Sequence, residues 1–361
     1  MLFLNIAAAI ALLLSYLAAR YSPADYWLLG FFGLGYPVIL LVNILFVLYW
    51  SVFLRAQVLI SLITILIGFR TFDNFYHVKI FSNKKTQAEL AEQPDSVYKI
   101  MSYNVRLFDL YNWTKNTKTR DQIFKLLAEE SPDVVCFQEF YYEDGGTFNS
   151  LDTMRSFMKA KNMHVEITNT VQKTNHFGLA TFTRFPVLNQ GKITFDKTSN
   201  RAIYTDMLIG GDTVRVYNMH LQSIRFGKED YKFIDDLSND KQVDELEGAK
   251  NLLSRMKRAF IRRAWQAEVI SSHIRNCPYK VMVCGDFNDP PTSYTYTILT
   301  RGLYDAFKIS GSGLGRTFID RFPSFRIDYI LHSKDIKSAD FETIARELSD
   351  HYPITCSFKV R

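Results

Sequence analysis

The stretch Val281-Met282-Val283-Cys284-Gly285-Asp286-Phe287-Asn288-Asp289 decides how the rest of the chain is read. A short apolar run suited to a strand ends in a glycine. An aspartate and an asparagine follow two residues apart, and Pro290-Pro291 blocks continuation. On an extended backbone alternate side chains share a face, so Asp286 and Asn288 are expected on the same side of the strand end. A carboxylate and a carboxamide placed there suit a hard cation and a phosphate. Gly-Asp-x-Asn also reads as a plain turn, and the rest of the chain has to choose between the two.

Working outward, residues 98–361 alternate strand-like and helix-like patterns without an internal repeat. Strands are expected at Tyr98–Asn104, Val134–Gln138, Leu179–Thr183, Ala202–Leu208, Val214–His220, Val281–Gly285, Ile327–Leu331 and Ile354–Lys359. Helices are expected at Thr119–Glu129, with Ile123, Phe124, Leu126 and Leu127 inward, and at Leu151–Ala160. Many strands with few helices imply two packed sheets flanked by helices.

Asp240–Ile274 has its own signature. Val243, Leu246, Ala249, Leu253, Met256, Phe260, Ala264, Ala267, Ile270 and Ile274 recur every three or four residues, as on one face of a long helix. The other face carries Lys250, Arg255, Lys257, Arg258, Arg262 and Arg263. It reads first as a solvated face, and second as a surface for membrane or a polyanion.

Polar side chains collect at the strand ends: Asn104, Glu139, His220, Asp286 with Asn288, Asp328, and Asp350 with His351. Each alone would serve as a turn former, but one at every strand end is a constellation. Phosphodiester hydrolysis needs charge neutralised at phosphorus, which Mg²⁺ on one or two carboxylates supplies, with Mn²⁺ as an alternative ion. Glu139 and Asp350 suit direct metal ligands, with Asn104, Asp286 and Asn288 completing the site. His351 suits the base that activates water, and Asp328 suits fixing its tautomer. His220 suits donation to the phosphate or the leaving oxygen, and Arg106 and Arg201 suit clamping phosphate oxygens.

MSYNVR, VVCFQEF, FGLATFTRFPV, YNMHLQS, VCGDFND, RIDYIL and LSDHYPI occur in this order over residues 98–361. The series resembles the motifs of the endonuclease/exonuclease/phosphatase superfamily with the DNase I-like fold. The resemblance implies a four-layered α/β sandwich and a Mg²⁺-dependent phosphohydrolase with its site at one end of both sheets. It implies metal-site roles for Asn104, Glu139 and Asp350, and catalytic roles for His220, Asp286, Asn288, Asp328 and His351. Arg106 stands where abasic-site endonucleases of the superfamily tend to carry aspartate, which disfavours that branch. The phosphate-binding motifs of the inositol-phosphatase branch are not found, and no stretch reads as a base-stacking or DNA-groove element. A nuclease-type phosphodiesterase is favoured over a phospholipid, sphingomyelin or phosphomonoester hydrolase. A non-catalytic binding module is the remote alternative, since it predicts eroded ligands.

The first 70 residues belong to a different class. Their only charges are Arg20, Asp25, Arg55 and Arg70. Leu2–Ala19 is apolar apart from Asn5 and Ser15; Trp27–Val52 and Gln57–Phe69 are further apolar runs. Two or three transmembrane helices over residues 1–72 are expected, three being favoured, with Tyr26, Trp27 and Trp50 near interfaces. A signal peptide competes for the first run but lacks a basic leader. Residues 73–97 read as a polar linker and 98–361 as the catalytic domain. With three spans, Arg20, Arg70, Lys79, Lys84 and Lys85 fall on one side and Arg55 on the other, which puts the catalytic domain on the cytoplasmic face of a multi-pass membrane protein. The four cysteines, Cys136, Cys277, Cys284 and Cys356, lack metal-site spacing and read as unpaired thiols, which agrees. The expected partners are a lipid bilayer through residues 1–70 and a phosphodiester substrate, either nucleic acid or a phospholipid headgroup; no protein partner is evident. The net charge of +6 permits an anionic substrate without requiring one.

Overall fold

The structure, a computed structural model, describes residues 1–78, 96–146, 148–157, 162–196, 198, 200–224, 245–319 and 325–360. Most of the expected linker, with Lys79, Lys84 and Lys85, lies outside these residues, as does Val243. Two compact units are present. One gathers Met1–Phe72, Gln222–Val269 and Pro290–Ile298; the other gathers Asp73–Leu221, Ile270–Asp289 and Leu299–Arg361.

Among the described residues the second unit holds twelve strands: β1 (Tyr98–Asn104), β2 (Val134–Glu143), β3 (Asn162–Val171), β4 (Asn175–Thr183), β5 (Val187–Thr194), β6 (Arg201–Ile209), β7 (Asp212–His220), β8 (Lys280–Asp286), β9 (Tyr304–Asp305), β10 (Asp328–His332), β11 (Ile336–Thr343) and β12 (Ile354–Val360). They form two six-stranded sheets, ordered β11-β12-β1-β2-β4-β3 and β5-β6-β7-β8-β10-β9. The inward side chains Ile100, Cys136 and Cys356 of the first sheet share a core with Val216, Cys284 and Ile330 of the second. Their sequence neighbours Met101, Tyr103, Val135 and Phe137 turn the other way and pack on helix Thr119–Glu130 through Ile123, Phe124, Leu126 and Leu127. The central strands are thus apolar on both faces, which is why they read as continuous hydrophobic runs. The thiols are free, and Cys136, Cys284 and Cys356 are buried.

Four strands escaped the sequence reading: β3, β5, β9 and β11. They are the four edges of the two sheets. An edge strand buries little, so its sequence carries only a weak apolar signal.

The first unit contains helices Leu2–Ala18, Tyr36–Val52 and Val58–Ile67. The run Trp27–Val52 is not one helix: Leu29–Leu34 and Tyr36–Val52 are separate, with Pro37 opening the second. The third run bends by 66° between Val58–Ile67 and Phe69–Phe75. The bend falls at Gly68, where an added Cβ would lie 2.0 Å from the Tyr16 ring. Among the described residues no single helix is long and apolar enough to cross a membrane; the bent pair passes that test together.

These helices bury polar side chains together with Leu12 and Tyr36 and leave many apolar ones exposed. Asn5, Ser15, Asn43 and Ser61 are fully buried, whereas Leu4, Ile10, Leu41, Leu48, Ile63 and Leu66 are exposed. Asn5 Nδ2 donates to Ser61 Oγ (2.6 Å), and Ser61 Oγ donates to Asn43 Oδ1 (2.8 Å). Asn43 Nδ2 donates to Ala8 O (2.9 Å), and Trp50 Nε1 to Asn5 Oδ1 (3.0 Å).

Helix Glu245–Arg275 packs its Phe260 edge-on against Phe31 at 5.2 Å, and Lys257 lies 4.6 Å from the Trp27 ring centre. Two expectations for this helix are corrected. Leu253, expected inward, is 46% exposed. Arg263, assigned to the solvated face, is 1% exposed and donates to Gln222 O at 2.9 Å, because its guanidinium satisfies a carbonyl of the neighbouring chain segment.

Gly285, the glycine that closes the apolar run, is required there by a close backbone approach. Its φ is +149°, and an added Cβ would meet Met219 O at 2.1 Å on the paired strand β7. Gly285→Ala should therefore lower folding stability by about 1–3 kcal/mol, seen as a shifted denaturant midpoint; an unchanged midpoint would show that β7 and β8 can part without cost.

Candidate functional site

Register carries the candidate side chains into line. Across the second sheet Arg201 pairs with His220, His220 with Asp286, and Asp286 with Asp328. In the first sheet Asn104 ends β1 opposite Gln138, and Glu139 follows at an irregularity in β2 between Phe137 and Phe140. Glu139 has φ +50°, a left-handed conformation that re-aims its side chain. Asn218 of β7 pins this bulge: its Nδ2 donates to Phe137 O (3.1 Å) and Ala180 O (3.0 Å), while its Oδ1 accepts from Gln138 Nε2 (2.8 Å).

Asp286 is the hub. It is 1% exposed. Its Oδ2 accepts from Asn104 Nδ2 (3.1 Å) and Asn288 Nδ2 (3.1 Å), and its Oδ1 from the Asn288 amide (2.8 Å). His220 Nε2 lies 3.6 Å from the same Oδ2 and 3.8 Å from Glu139 Oε1. His351 Nε2 lies 3.7 Å from Asp286 Oδ2, while its Nδ1 lies 2.9 Å from Asp328 Oδ2. Asp286 and Asn288 therefore meet through a tight turn and not through strand alternation: β8 ends at Asp286, and Asn288 has φ +54°. Gly-Asp-x-Asn is a turn, and that turn sets the Asn288 carboxamide on the Asp286 carboxylate.

Burial sorts the set into two shells. Asn104, Asp286, Asp328 and His351 are buried. Glu139, His220, Asp350 and Arg106 keep 35%, 19%, 18% and 25% of their side chains exposed. Arg106 Nε lies 3.2 Å from Asp350 Oδ2. Arg201 turns elsewhere: its Nη1 donates to Thr198 O and Asn200 O, both at 2.8 Å.

The charges act on one another. Burial pushes the Asp286 carboxyl up to about 6; Asp328 adds to this, and the two imidazoles oppose it. Burial works against a charged His351, but Asp328, Asp286 and Asp350 outweigh it and push the imidazole up to about 10. Enclosure and then the Asp350 charge raise Glu139, against the pull of His351, Asn104 and Arg106.

Two partly exposed carboxylates that repel each other are a donor set for a cation. Glu139 and Asp350, with the Asn104 carboxamide beside Glu139, offer oxygens only, which fits Mg²⁺ or Mn²⁺ better than a soft metal. Asp286, Asp328 and His351 form a second cluster, with one ligand atom from each within 4.8 Å of the others. The His351–Asp328 contact makes this cluster an imidazole–carboxylate pair first.

Several supporting residues were not singled out from sequence. Ser349 Oγ donates to Asn104 O (2.8 Å) and lies 3.1 Å from Asp350 Oδ1, tying the end of β1 to the segment before β12. Thr317 Oγ1 accepts from the amides of Ile327 (3.0 Å) and Asp328 (3.1 Å). Ser349 and Gln138 lie inside recognised motifs, where adjacency was the available signal; Thr317 had none.

After Asn104 the chain enters a left-handed turn. Arg106, Leu107, Phe108 and Asp109 have φ of 42°, 56°, 54° and 60°. Such a run costs about 1–2 kcal/mol per residue. It is held by Phe108, 1% exposed, whose ring lies 5.6 Å from Phe124 and 5.4 Å from Phe140.

A two-sheet α/β sandwich with acids, amides and imidazoles at the ends of both sheets is the architecture of the phosphohydrolases with the DNase I-like fold. The chain belongs to the Endonuclease/Exonuclease/phosphatase family, whose profile matches residues 101–351. A domain of unknown function, DUF8431, matches residues 1–75. No curated protein matches. Among solved structures, the endonuclease/exonuclease/phosphatase from Bacteroides vulgatus is 17% identical with a TM-score of 0.53, covering 73% of this chain and 99% of that one. The human Nocturnin catalytic domain with bound sulfate anion is 20% identical with a TM-score of 0.52, covering 74% and 94%. D. rerio TDP2 humanized by 14 mutations is 16% identical with a TM-score of 0.50, covering 73% and 100%. At these identities the likeness is one of fold.

The His351 shift has a checkable sign. Its folded value of about 10 lies above the ordinary 6.5. The ion pair with Asp328 therefore stabilises the fold fully below that ordinary value and is lost as pH rises through about 10. Asp328→Asn should bring the His351 midpoint down by roughly 1–3 pH units, followed by histidine-selective NMR titration of the metal-free protein. A midpoint that stays put would remove Asp328 as the controlling charge.

Proposed function

We propose that this chain is a membrane-anchored, divalent-metal-dependent phosphodiesterase of nuclease type. The observation that carries the reading is the convergence at Asp286: His220 and His351 approach its Oδ2 at 3.6 and 3.7 Å, and Glu139 lies 3.8 Å from His220. One phosphate group spans such a cluster. The Nocturnin catalytic domain binds a sulfate anion, and a tetrahedral oxyanion suits the cluster of donors around Asp286.

Glu139 and Asp350, with Asn104, would hold Mg²⁺ or Mn²⁺, which when bound neutralises charge on the phosphate and its leaving oxygen. Asn104 and Asn288 fix the Asp286 carboxylate through three hydrogen bonds. Its carboxyl, raised to about 6, takes the proton of the attacking water more readily than an ordinary aspartate would. That moves the base role from His351 to Asp286. His351, kept cationic by Asp328, then donates to a phosphate oxygen and stabilises charge as it develops. His220 is partly exposed and supplies a proton to the departing oxygen as the phosphorus–oxygen bond breaks. Arg106 lies beside Asp350 and suits a phosphate oxygen; Arg201 suits a supporting role, holding its own loop below His220.

The first unit supports a bilayer as its solvent. Buried asparagines and serines joined by interhelical hydrogen bonds, with leucines and isoleucines facing out, are the arrangement expected where lipid replaces water. Helices of 17 residues reach about 25 Å, somewhat short of a hydrocarbon core of about 30 Å, a mismatch that local thinning accommodates. Residues 1–72 are the anchor, 73–97 the connector and 98–361 the catalytic region in this reading. The lysine and arginine balance and the free thiols favour a cytoplasmic catalytic domain. The anchor also favours, as a second reading, a phospholipid headgroup as substrate.

Three outcomes are expected. His351→Ala should lower kcat on the order of 10²-fold while Mn²⁺ still titrates calorimetrically, and unchanged turnover would end its catalytic role. Glu139→Gln should weaken that Mn²⁺ titration and turnover together; a retained metal isotherm would move the ion elsewhere. The full chain should stay with membranes through an alkaline carbonate wash, and its release into the supernatant would dismiss the anchor.

A further inference from the structure

The loop that follows the left-handed turn is an aromatic surface beside the site. Arg106 Cζ lies 4.6 Å from the centre of the Trp113 ring, while Arg106 Nε holds Asp350 at 3.2 Å. Trp113 packs edge-on against Tyr111 with ring centres 5.0 Å apart. Both rings face solvent: Tyr111 is 64% exposed and Trp113 42%. No sequence pattern marks Tyr111 and Trp113 as a pair; the turn brings them together.

The loop is built and not slack. Asn112 and Lys115 also have left-handed φ, 54° and 56°. The buried Asp109 carboxylate accepts from the Thr114 amide at 3.2 Å and from its hydroxyl. The Asn112 amide donates to Asp109 O at 2.7 Å. Strained backbone held in place next to reacting groups is more often a device for positioning than an accident of packing. Here it carries two large rings into water, where apolar surface is costly, and sets them next to the arginine that adjoins Asp350.

We propose that Trp113 and Tyr111 form a stacking platform for an unpaired nucleobase of the substrate, with Arg106 as the bridge between that base and the phosphate at Glu139 and Asp350. This rests on the phosphodiesterase reading and names its substrate class: a single-stranded nucleic acid. A phosphocholine headgroup would bring a quaternary ammonium, which aromatic rings attract, but Arg106 already sets a cation over the Trp113 ring and repels a second one. A base held in a duplex stays stacked on its neighbours. A base of a single strand is free to leave its neighbours and stack on an aromatic side chain. The exposed Lys115 and Lys118 on the same loop add positive charge of the sign a phosphate backbone requires.

The test compares two ligands on the full chain in detergent micelles with Mg²⁺. One is a short fluorescein-labelled single strand with nuclease-resistant phosphorothioate links; the other has the same backbone but carries abasic sugars. Wild type is expected to bind the base-carrying strand more tightly. Trp113→Ala should weaken that binding roughly 5- to 100-fold and leave the base-free strand within about twofold; Trp113→Phe should restore most of the loss. Equal weakening on both strands would reduce Trp113 to a support for Arg106 and overturn the platform, as would no weakening at all. Equal competition by phosphocholine would overturn it in favour of a headgroup. Because binding is read separately from turnover, a chain that stacks bases yet cleaves no strand would sink the hydrolase reading alone.

Discussion

A carboxylate buried to 1% exposure has to be compensated, and most of what surrounds Asp286 answers to that need. Two carboxamides and a backbone amide donate to it, and two imidazoles close on its outer oxygen. Burying a charge without partners would cost several kcal/mol. The partners come from the ends of β1, β7 and β8 and from the segment before β12, so the two sheets must keep their relative register for the charge to be tolerated. Site geometry and fold stability are therefore one constraint, expressed at one oxygen.

That constraint explains where the backbone is strained. Glu139 and Asn288 both adopt left-handed φ, and Gly285 adopts a conformation few side chains allow. Regular strands would carry Glu139 and Asn288 past the site. The bulge in β2 and the turn after β8 bring them back, and Asn218 with Gln138 satisfies the carbonyls at the bulge. The left-handed run Arg106–Asp109 follows the same logic, with a buried phenylalanine offsetting the backbone cost. Strain of this kind concentrates where side chains must be aimed.

The first unit is organised around buried polar side chains. Four of its few polar residues, Asn5, Ser15, Asn43 and Ser61, are fully buried beside Leu12 and Tyr36, while many of its leucines and isoleucines point outward. Asn5 and Ser15 looked like interruptions in an otherwise apolar run. Asn5, Asn43 and Ser61 tie three helices together, because a buried polar group has to find a partner and these three find one another. This arrangement is invisible in a count of charges, because that count says how apolar a segment is and not which way each side chain faces.

Central strands bury both faces and so announced themselves as apolar runs, and the polar residue closing each run was legible for the same reason. The amino-acid sequence by itself therefore determined the eight inner strands, the acids, amides and histidines at their ends, and the family. Tertiary structure decided the rest. The edge strands β3, β5, β9 and β11 exist because a neighbour pairs with them, not because their own residues demand burial. The meeting of Asp286 with Asn288 through a turn depends on a positive φ that alternation does not foresee. The pairing of Arg106 with Asp350 and Trp113 depends on a left-handed turn that no local propensity favours. Burial is written in residue type, but direction is set by which chain segments come to lie side by side.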